Sequence, residues 1–206
     1  MSNKTTLIFD FGRVLVDYDF DRFFAMLRDE NPHHEAFDEF MRLVLDSNTY
    51  QALDKGERPF AEYVAMYKQQ YPHCADLIDA FDTRFQEIVT NEIPDMRAVL
   101  IALKQHGYRV LGLSNWSTKV YDTMQRFAIF DLIEDRVLSC EEHLLKPDAA
   151  IYRRALQRFG IEADETVFVD DRKENAEGAE AVGIHGITFT GAAPLRQELA
   201  ALGVEI

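Results

Sequence analysis

Thr6-Leu-Ile-Phe-Asp10-Phe-Gly-Arg-Val-Leu-Val-Asp17 begins with an apolar run that is closed by an acid. A short apolar run of this kind reads as a strand buried on both faces and ending at Asp10. Further runs follow at Arg109-Val-Leu-Gly-Leu113, Arg136-Val-Leu138, Thr166-Val-Phe-Val169 and Gly186-Ile-Thr-Phe189. Helical patterns separate them. Pro94 stands at the expected first helical residue of one, Met96, Val99, Leu100 and Leu103 recur at helical spacing, and Gly107 stops it. Val120, Tyr121, Met124 and Phe127 mark a second. Pro147 opens a third, with Tyr152, Ala155, Leu156 and Phe159 inward and Gly160 as terminator, and Ala176, Ala179, Val182 and Gly183 give a fourth a small-residue face. Strand–helix alternation predicts an α/β fold: a Rossmann-like three-layer α/β/α core around a parallel sheet.

Residues 18–91 break the rhythm. Phe-rich helical stretches are expected near 20–30, 33–46, 59–70 and 74–89, punctuated by Pro32, Gly56, Pro59 and Pro72, with no convincing strand. The simplest organisation is a core of residues 1–17 and 92–206, with a helical cap, 18–91, inserted after the first strand.

The composition narrows the function. The 206 residues are 47% hydrophobic and 12% aromatic, enough for a real core. Lys+Arg 22 against Asp+Glu 36 gives a net charge of −14, which argues against nucleic acid and anionic membranes as partners. No apolar stretch reaches the ~18 residues of a membrane span, and Met1–Thr6 is too polar for a signal peptide, so a cytoplasmic location is expected. Cys74 and Cys140 stand far apart and read as unpaired buried thiols.

Four segments carry polar groups where strands end, the edge at which parallel sheets bind ligands. Asp10 reads as a nucleophile or metal ligand, or as a turn former. Ser114-Asn115-Trp116-Ser117 combines a hydroxyl with backbone N–H groups that can hold an anion or simply cap a helix. Lys146 precedes a helix start, where its charge can neutralise an anion or sit solvated. Asp170-Asp171, in Val169-Asp-Asp-Arg-Lys-Glu-Asn175, suits a hard divalent cation or a helix cap. In the order acid, hydroxyl, lysine and acid pair, they converge on one crevice.

This ordered set resembles the haloacid dehalogenase-like hydrolase superfamily, mostly phosphatases, over Thr5–Asp17 and from about Glu92 to Phe189. Asp10-Phe-Gly-Arg-Val-Leu-Val-Asp-Tyr-Asp-Phe20 and Phe168-Val-Asp-Asp-Arg-Lys-Glu-Asn175 are similar to a bacterial α-D-glucose-1-phosphate phosphatase subgroup. The resemblance implies that Asp10 is a nucleophile forming an aspartyl-phosphate. It implies that Ser114 and the Asn115 backbone N–H hold phosphoryl oxygens and that Lys146 balances their charge. It further implies a Mg²⁺ held by Asp10, the Gly12 carbonyl and Asp171, with Asp170 and Asn175 supporting the loop. The substrate so implied is a small phosphorylated metabolite. A metal-independent 2-haloacid dehalogenase and a non-catalytic phospho-ligand or partner-binding protein are the alternatives. One position departs from the superfamily pattern: Gly12 stands where a second aspartate, the general acid and base, is usual. Its loss is worth roughly 10²–10⁴-fold for a poor leaving group, which favours a substrate such as a sugar 1-phosphate or a relayed proton.

Overall fold

The computed structural model describes residues 4–31 and 34–206. Met1–Asn3 and Pro32, one of the expected punctuation points, lie outside the described residues. Five strands form one parallel sheet: β1 (Thr6–Phe9), β4 (Arg109–Ser114), β5 (Arg136–Leu138), β6 (Thr166–Asp170) and β7 (His185–Thr188), in the order β5-β4-β1-β6-β7. From β1 the chain winds outward through β4 and β5, then returns to lay β6 and β7 on the other side. The direction reverses at β1, so a crevice opens outside the carboxyl ends of β1 and β6.

Alternation along β1 builds both layers. Leu7 and Phe9 face one side, with Val110, Val167 and Val169 of the neighbouring strands. That side is covered by α6 (Met96–Gln105) and α11 (Ala192–Ala201) through Met96, Val99, Leu103, Leu195 and Leu199. Ile8 faces the other side with Leu111, Leu113 and Phe168, beneath α9 (Ala149–Phe159) and α10 (Lys173–Glu180). Two short helices, α7 (Val120–Arg126) and α8 (Ser139–Glu142), follow β4 and β5. The expected helices recur with shifted starts. Pro94 and Pro147 each lie two residues ahead of their helix, whose N-caps are Asp95 and Asp148.

Between the core segments lie α1 (Phe20–Glu30), α2 (His34–Leu45), α3 (Ser47–Lys55), α4 (Phe60–Gln70) and α5 (Ala75–Thr83). They make up the helical insertion between the core segments, referred to below as the cap. Phe23, Phe24, Phe40, Phe81 and Phe85 meet largely edge to face at its centre, the favoured geometry for ring quadrupoles. Two expectations for 18–91 fail here. The helix expected over 74–89 ends at Thr83, and Val89–Glu92 is a strand, β3, pairing antiparallel with β2 (Val16–Tyr18). Only Val89 of β3 is buried, so its sequence carries no alternating signal and the pairing partner makes the strand. The unforeseen α3 had readable signals: the Asp46 carboxylate caps it by accepting from the Thr49 N–H (3.0 Å), and Gly56 ends it at φ 63°. Both cysteines are free and buried, and among the described residues no helix is long and apolar enough to cross a membrane.

Small residues let α10 lie close on the sheet. A Cβ on Gly186 of β7 would fall 2.3 Å from the Ala176 carbonyl oxygen, a backbone atom that cannot swing away. Gly186→Ala is therefore expected to cost about 1–3 kcal/mol, read as a lowered midpoint in urea denaturation.

Candidate active site

The carboxyl ends of β1, β4 and β6 deliver Asp10, Ser114 and Asp170, and the turn before α9 delivers Lys146. The Lys146 ammonium joins them. Its Nζ lies 2.8 Å from Asp10 Oδ1, 2.7 Å from Asp170 Oδ2 and 3.1 Å from the Leu113 carbonyl. The Lys146 side chain is 1% exposed and that of Asp170 0%. A lysine so deep persists only when paired. Burial by itself would lower its pKa, but Asp10 and Asp170 outweigh burial and hold the ammonium above its ordinary value.

Asn115 fixes where Lys146 stands. Its side-chain amide accepts from the Lys146 N–H (2.9 Å) and donates to the Lys146 carbonyl (3.0 Å), closing both backbone groups. The sequence assigned Asn115 through its own N–H; the structure adds this clamping role for its side chain. Asp170 is spent within the protein as well. One oxygen accepts from the Arg172 N–H and the Asn175 side chain (2.9 Å each) and the other from Lys146.

Three carboxylates therefore face one ammonium. Burial is the largest influence on Asp10 and lifts its carboxyl to about 6, with Lys146 pulling down and Asp170 pushing up. Asp171 is raised by burial first and by Asp170 second. Carboxylate oxygens of Asp10, Asp170 and Asp171 lie within 4.8 Å of one another. Asp10 Oδ1 has Lys146 beside it as a charge, but no donor aligned for a hydrogen bond. Hard oxygen donors, excess negative charge and an unfilled lone pair fit a small divalent cation, and with Asp170 already spent, Asp10 and Asp171 are the side chains free to hold it. A second cluster, Glu39, His73 and Cys74, lies on the cap. There His73 pairs with Glu39 and the Cys74 thiol donates to the Ala36 carbonyl, so each of its groups already has a protein partner.

Gly12 follows Asp10 into the crevice. A Cβ there would stand 2.9 Å from the Tyr18 ring and 3.8 Å from Trp116. An aspartate side chain there would have to push the Tyr18 ring aside, whereas Trp116 stands at ordinary contact distance. Tyr18 is itself braced: the Arg13 guanidinium stacks 4.4 Å from its ring centre and pairs with Asp17 at 2.8 Å. Arg13 holds φ 60° to do so.

Above these groups is a cavity of about 550 Å³. Asp10, Gly12, Asn115, Lys146 and Asp171 form its core side, and Tyr50, Leu53, Asp54, Phe60 and Phe85 of the cap its other side. Ser139, unmentioned in the sequence reading, ties the two together. Its hydroxyl accepts from the Trp116 N–H (2.9 Å) and donates to the Asp54 carbonyl (2.6 Å). Nothing in the sequence marked Ser139, Tyr18, Tyr50 or Asp54, because which cap residues face the core depends on how the cap docks.

A parallel sheet with an acid, a hydroxyl, a lysine and an acid pair at its carboxyl edge, under a helical cap, defines a hydrolase class. A haloacid dehalogenase-like hydrolase family model matches residues 4–183, and the chain belongs to that family. It is 32% identical over 117 residues to a glyceraldehyde 3-phosphate phosphatase of Pyrococcus abyssi, covering 56% of this chain and 48% of that protein. An (S)-2-haloacid dehalogenase of Burkholderia cepacia is 30% identical over 95 residues, covering 46% of this chain and 41% of that protein. The matched region spans about half the length of such relatives or less. In fold, the chain is similar to an enzyme of the family from Bacteroides thetaiotaomicron, solved with magnesium and inorganic phosphate. There the TM-score is 0.74 at 21% identity, covering 92% of this chain and 96% of that one.

Removing Lys146 would leave Asp10 and Asp170 uncompensated. Lys146→Met is expected to destabilise the protein by about 3–5 kcal/mol at pH 8, measured by urea denaturation in chelator. The deficit should shrink toward pH 5, because carboxyls whose pKa burial raises regain their protons as the pH falls.

Proposed function

We propose that the protein is a Mg²⁺-dependent phosphomonoesterase acting on a small phosphorylated metabolite. The observation that carries this reading is the buried Asp10 carboxylate. It sits at the end of the central strand with Lys146 at 2.8 Å and opens onto the capped cavity. In this reading an Asp10 oxygen attacks phosphorus, the P–O bond to the alcohol breaks, and water then hydrolyses the aspartyl-phosphate. Lys146 keeps Asp10 ionised and in place, Ser114 and the Asn115 N–H hold phosphoryl oxygens, and the cap excludes bulk water. Asp10, the Gly12 carbonyl and Asp171 would hold Mg²⁺, which supplies charge neutralisation for an anionic substrate in a protein of charge −14.

The phosphatases among the relatives support this chemistry, as does a fold neighbour solved with magnesium and phosphate. Two free buried thiols suit a reducing compartment, and we place the reaction in the cytoplasm. Gly12 offers no proton to the departing alcohol. The substrate therefore either leaves well unaided, as a sugar 1-phosphate does, or receives its proton from another group.

Dehalogenase relatives give the competing reading, in which Asp10 attacks carbon and no metal is needed. The Asp10-Asp170-Asp171 cluster speaks against it, since unneutralised it would repel an anionic haloacid.

The test is turnover of p-nitrophenyl phosphate and a panel of small phosphate esters. Chelation should abolish activity and Mg²⁺ restore it, and Asp10→Asn should lower kcat on the order of 10⁴-fold or more. Acid quenching should trap phosphate on wild type and none on the variant. Chelator-resistant halide release would establish the dehalogenase instead, and inertness with retained phosphate binding would leave a binding protein.

A further inference from the structure

The reaction proposed above needs a proton donor, and residue 12 cannot supply one. Gly12 has no side chain, a Cβ there would press on the Tyr18 ring at 2.9 Å, and Tyr18 is itself a poor substitute. Burial, then Asp171 and Asp10, raise its phenol above the ordinary value, so it gives up a proton less readily still. Of the carboxyls lining the cavity, Asp10 and Asp171 belong to the nucleophile and cation positions, and Asp148 is exposed at the rim. The remaining one is Asp54, on the cap side of the cavity.

Its placement is fixed by the fold. The Ser139 hydroxyl donates to the Asp54 carbonyl at 2.6 Å, and His143 Nδ1 lies 2.9 Å from the Lys55 carbonyl. Gly56 then brings backbone against backbone, since a Cβ there would lie 2.7 Å from the Cys140 carbonyl oxygen and 2.8 Å from its Cα. The end of α3 is thereby clamped to α8 of the core, and the Asp54 side chain is held over the crevice. Tyr50, one turn earlier on α3, lines the same cavity, and its hydroxyl is buried without a hydrogen-bond partner. Leaving such a group unmet costs about 1–3 kcal/mol, which a polar group of a bound substrate would recover. Both residues line the same cavity as Asp10 and Lys146.

We propose that Asp54 is the general acid and base of this hydrolase, supplied by the cap in place of the side chain that Gly12 lacks. The assignment rests on the phosphomonoesterase reading. In the first step an Asp10 oxygen bonds to phosphorus, the ester P–O bond breaks, and the Asp54 carboxyl proton passes to the departing oxygen, giving a neutral alcohol. In the second, the Asp54 carboxylate takes a proton from water as its oxygen bonds to phosphorus. The Asp10–phosphorus bond breaks, releasing inorganic phosphate and restoring the Asp10 carboxylate and the protonated Asp54 carboxyl. The environment suits both roles. Burial is the main influence on Asp54 and lifts it to about 7; the Ser117 N–H and Lys146 pull it down, and Asp10 pushes it up. Tyr50 on its own helix and Cys140 of α8 are the other titratable groups coupled to it.

The test compares kcat/KM, which reports the first step, for an alkyl phosphate and for p-nitrophenyl phosphate, whose phenolate leaves without a proton. Asp54→Asn should lower the alkyl ester's value by about 10²–10⁴-fold and that of p-nitrophenyl phosphate by less than about tenfold. The alkaline fall of kcat/KM for the alkyl ester, with its midpoint near 7 in wild type, should vanish in Asp54→Asn. Asp54→Glu, which keeps a carboxyl, should recover part of the alkyl ester's rate, and thermal melting confirms that each variant is folded. Equal losses on both esters, no loss on either, or an unchanged alkaline limb would overturn the assignment while leaving an Asp10-dependent phosphatase intact. Wild-type inertness toward every phosphate ester would remove the phosphomonoesterase reading, and Asp54's role with it.

Discussion

The Lys146 ammonium, buried between Asp10 and Asp170, is the contact on which the rest of the site depends. Three segments distant in the chain converge on one charged atom where water is excluded. A buried ion pair adds little net stability, because desolvating the charges offsets their attraction. What it imposes is geometry: a displaced partner leaves an unpaired charge in a low dielectric, so the wrong arrangements are heavily penalised. The surroundings over-determine the right one. Asn115 closes both backbone groups of Lys146, and Asp170 is itself held by the Arg172 N–H and Asn175. Gly178 of α10 completes the fit by letting the helix approach Pro147, whose carbonyl oxygen would lie 2.7 Å from a Cβ at that position.

That constraint leaves an imbalance by design. One ammonium cannot neutralise Asp10, Asp170 and Asp171 together, and Asp170 adds to the burial that chiefly raises the carboxyls of Asp10 and Asp171. The site is thus stable as a protein feature and incomplete as an electrostatic one. In the phosphomonoesterase reading proposed above, a divalent cation held by Asp10 and Asp171 would supply the missing charge on the side facing the cavity. This reconciles an acidic protein with an anionic ligand: attraction is local, and the overall charge acts only at ranges that salt screens.

Much of this architecture was legible in the sequence because its signals are local. Apolar runs closed by Asp10, Ser114 and Asp170 mark three parallel strands by composition alone, and polar residues at their ends fall at the binding edge of such sheets. Lys146 and Asp171 were legible through position relative to those runs. Val89–Glu92 was not, since its strand character comes from pairing with Val16–Tyr18. Nor was the direction of the Asn115 side chain, which depends on Lys146 arriving from a segment 31 residues away. Asp54, Tyr50 and Ser139 were invisible for the same reason on a larger scale. An amphipathic helix declares its apolar stripe, but which polar residues overlook a cavity follows from how the helix docks on another layer.

Gly12 shows how the two kinds of information combine. As sequence it reads as a missing acid; as structure it is a position where any side chain would press on the Tyr18 ring. Any side chain there would have to displace Tyr18, whose ring is braced by Arg13 and Asp17. Among the described residues lining the cavity, the carboxyl outside the nucleophile and cation positions and away from the exposed Asp148 is Asp54, on a cap helix. Placing that donor on α3 makes proton transfer contingent on the cap being seated. In that proposal the core would hold the phosphoryl chemistry, and release of a poor leaving group would also depend on the contacts that seat the cap. These are the Ser139 bond to Asp54 at one edge and the Lys119–Asp82 pair, at 2.5 Å, at the other.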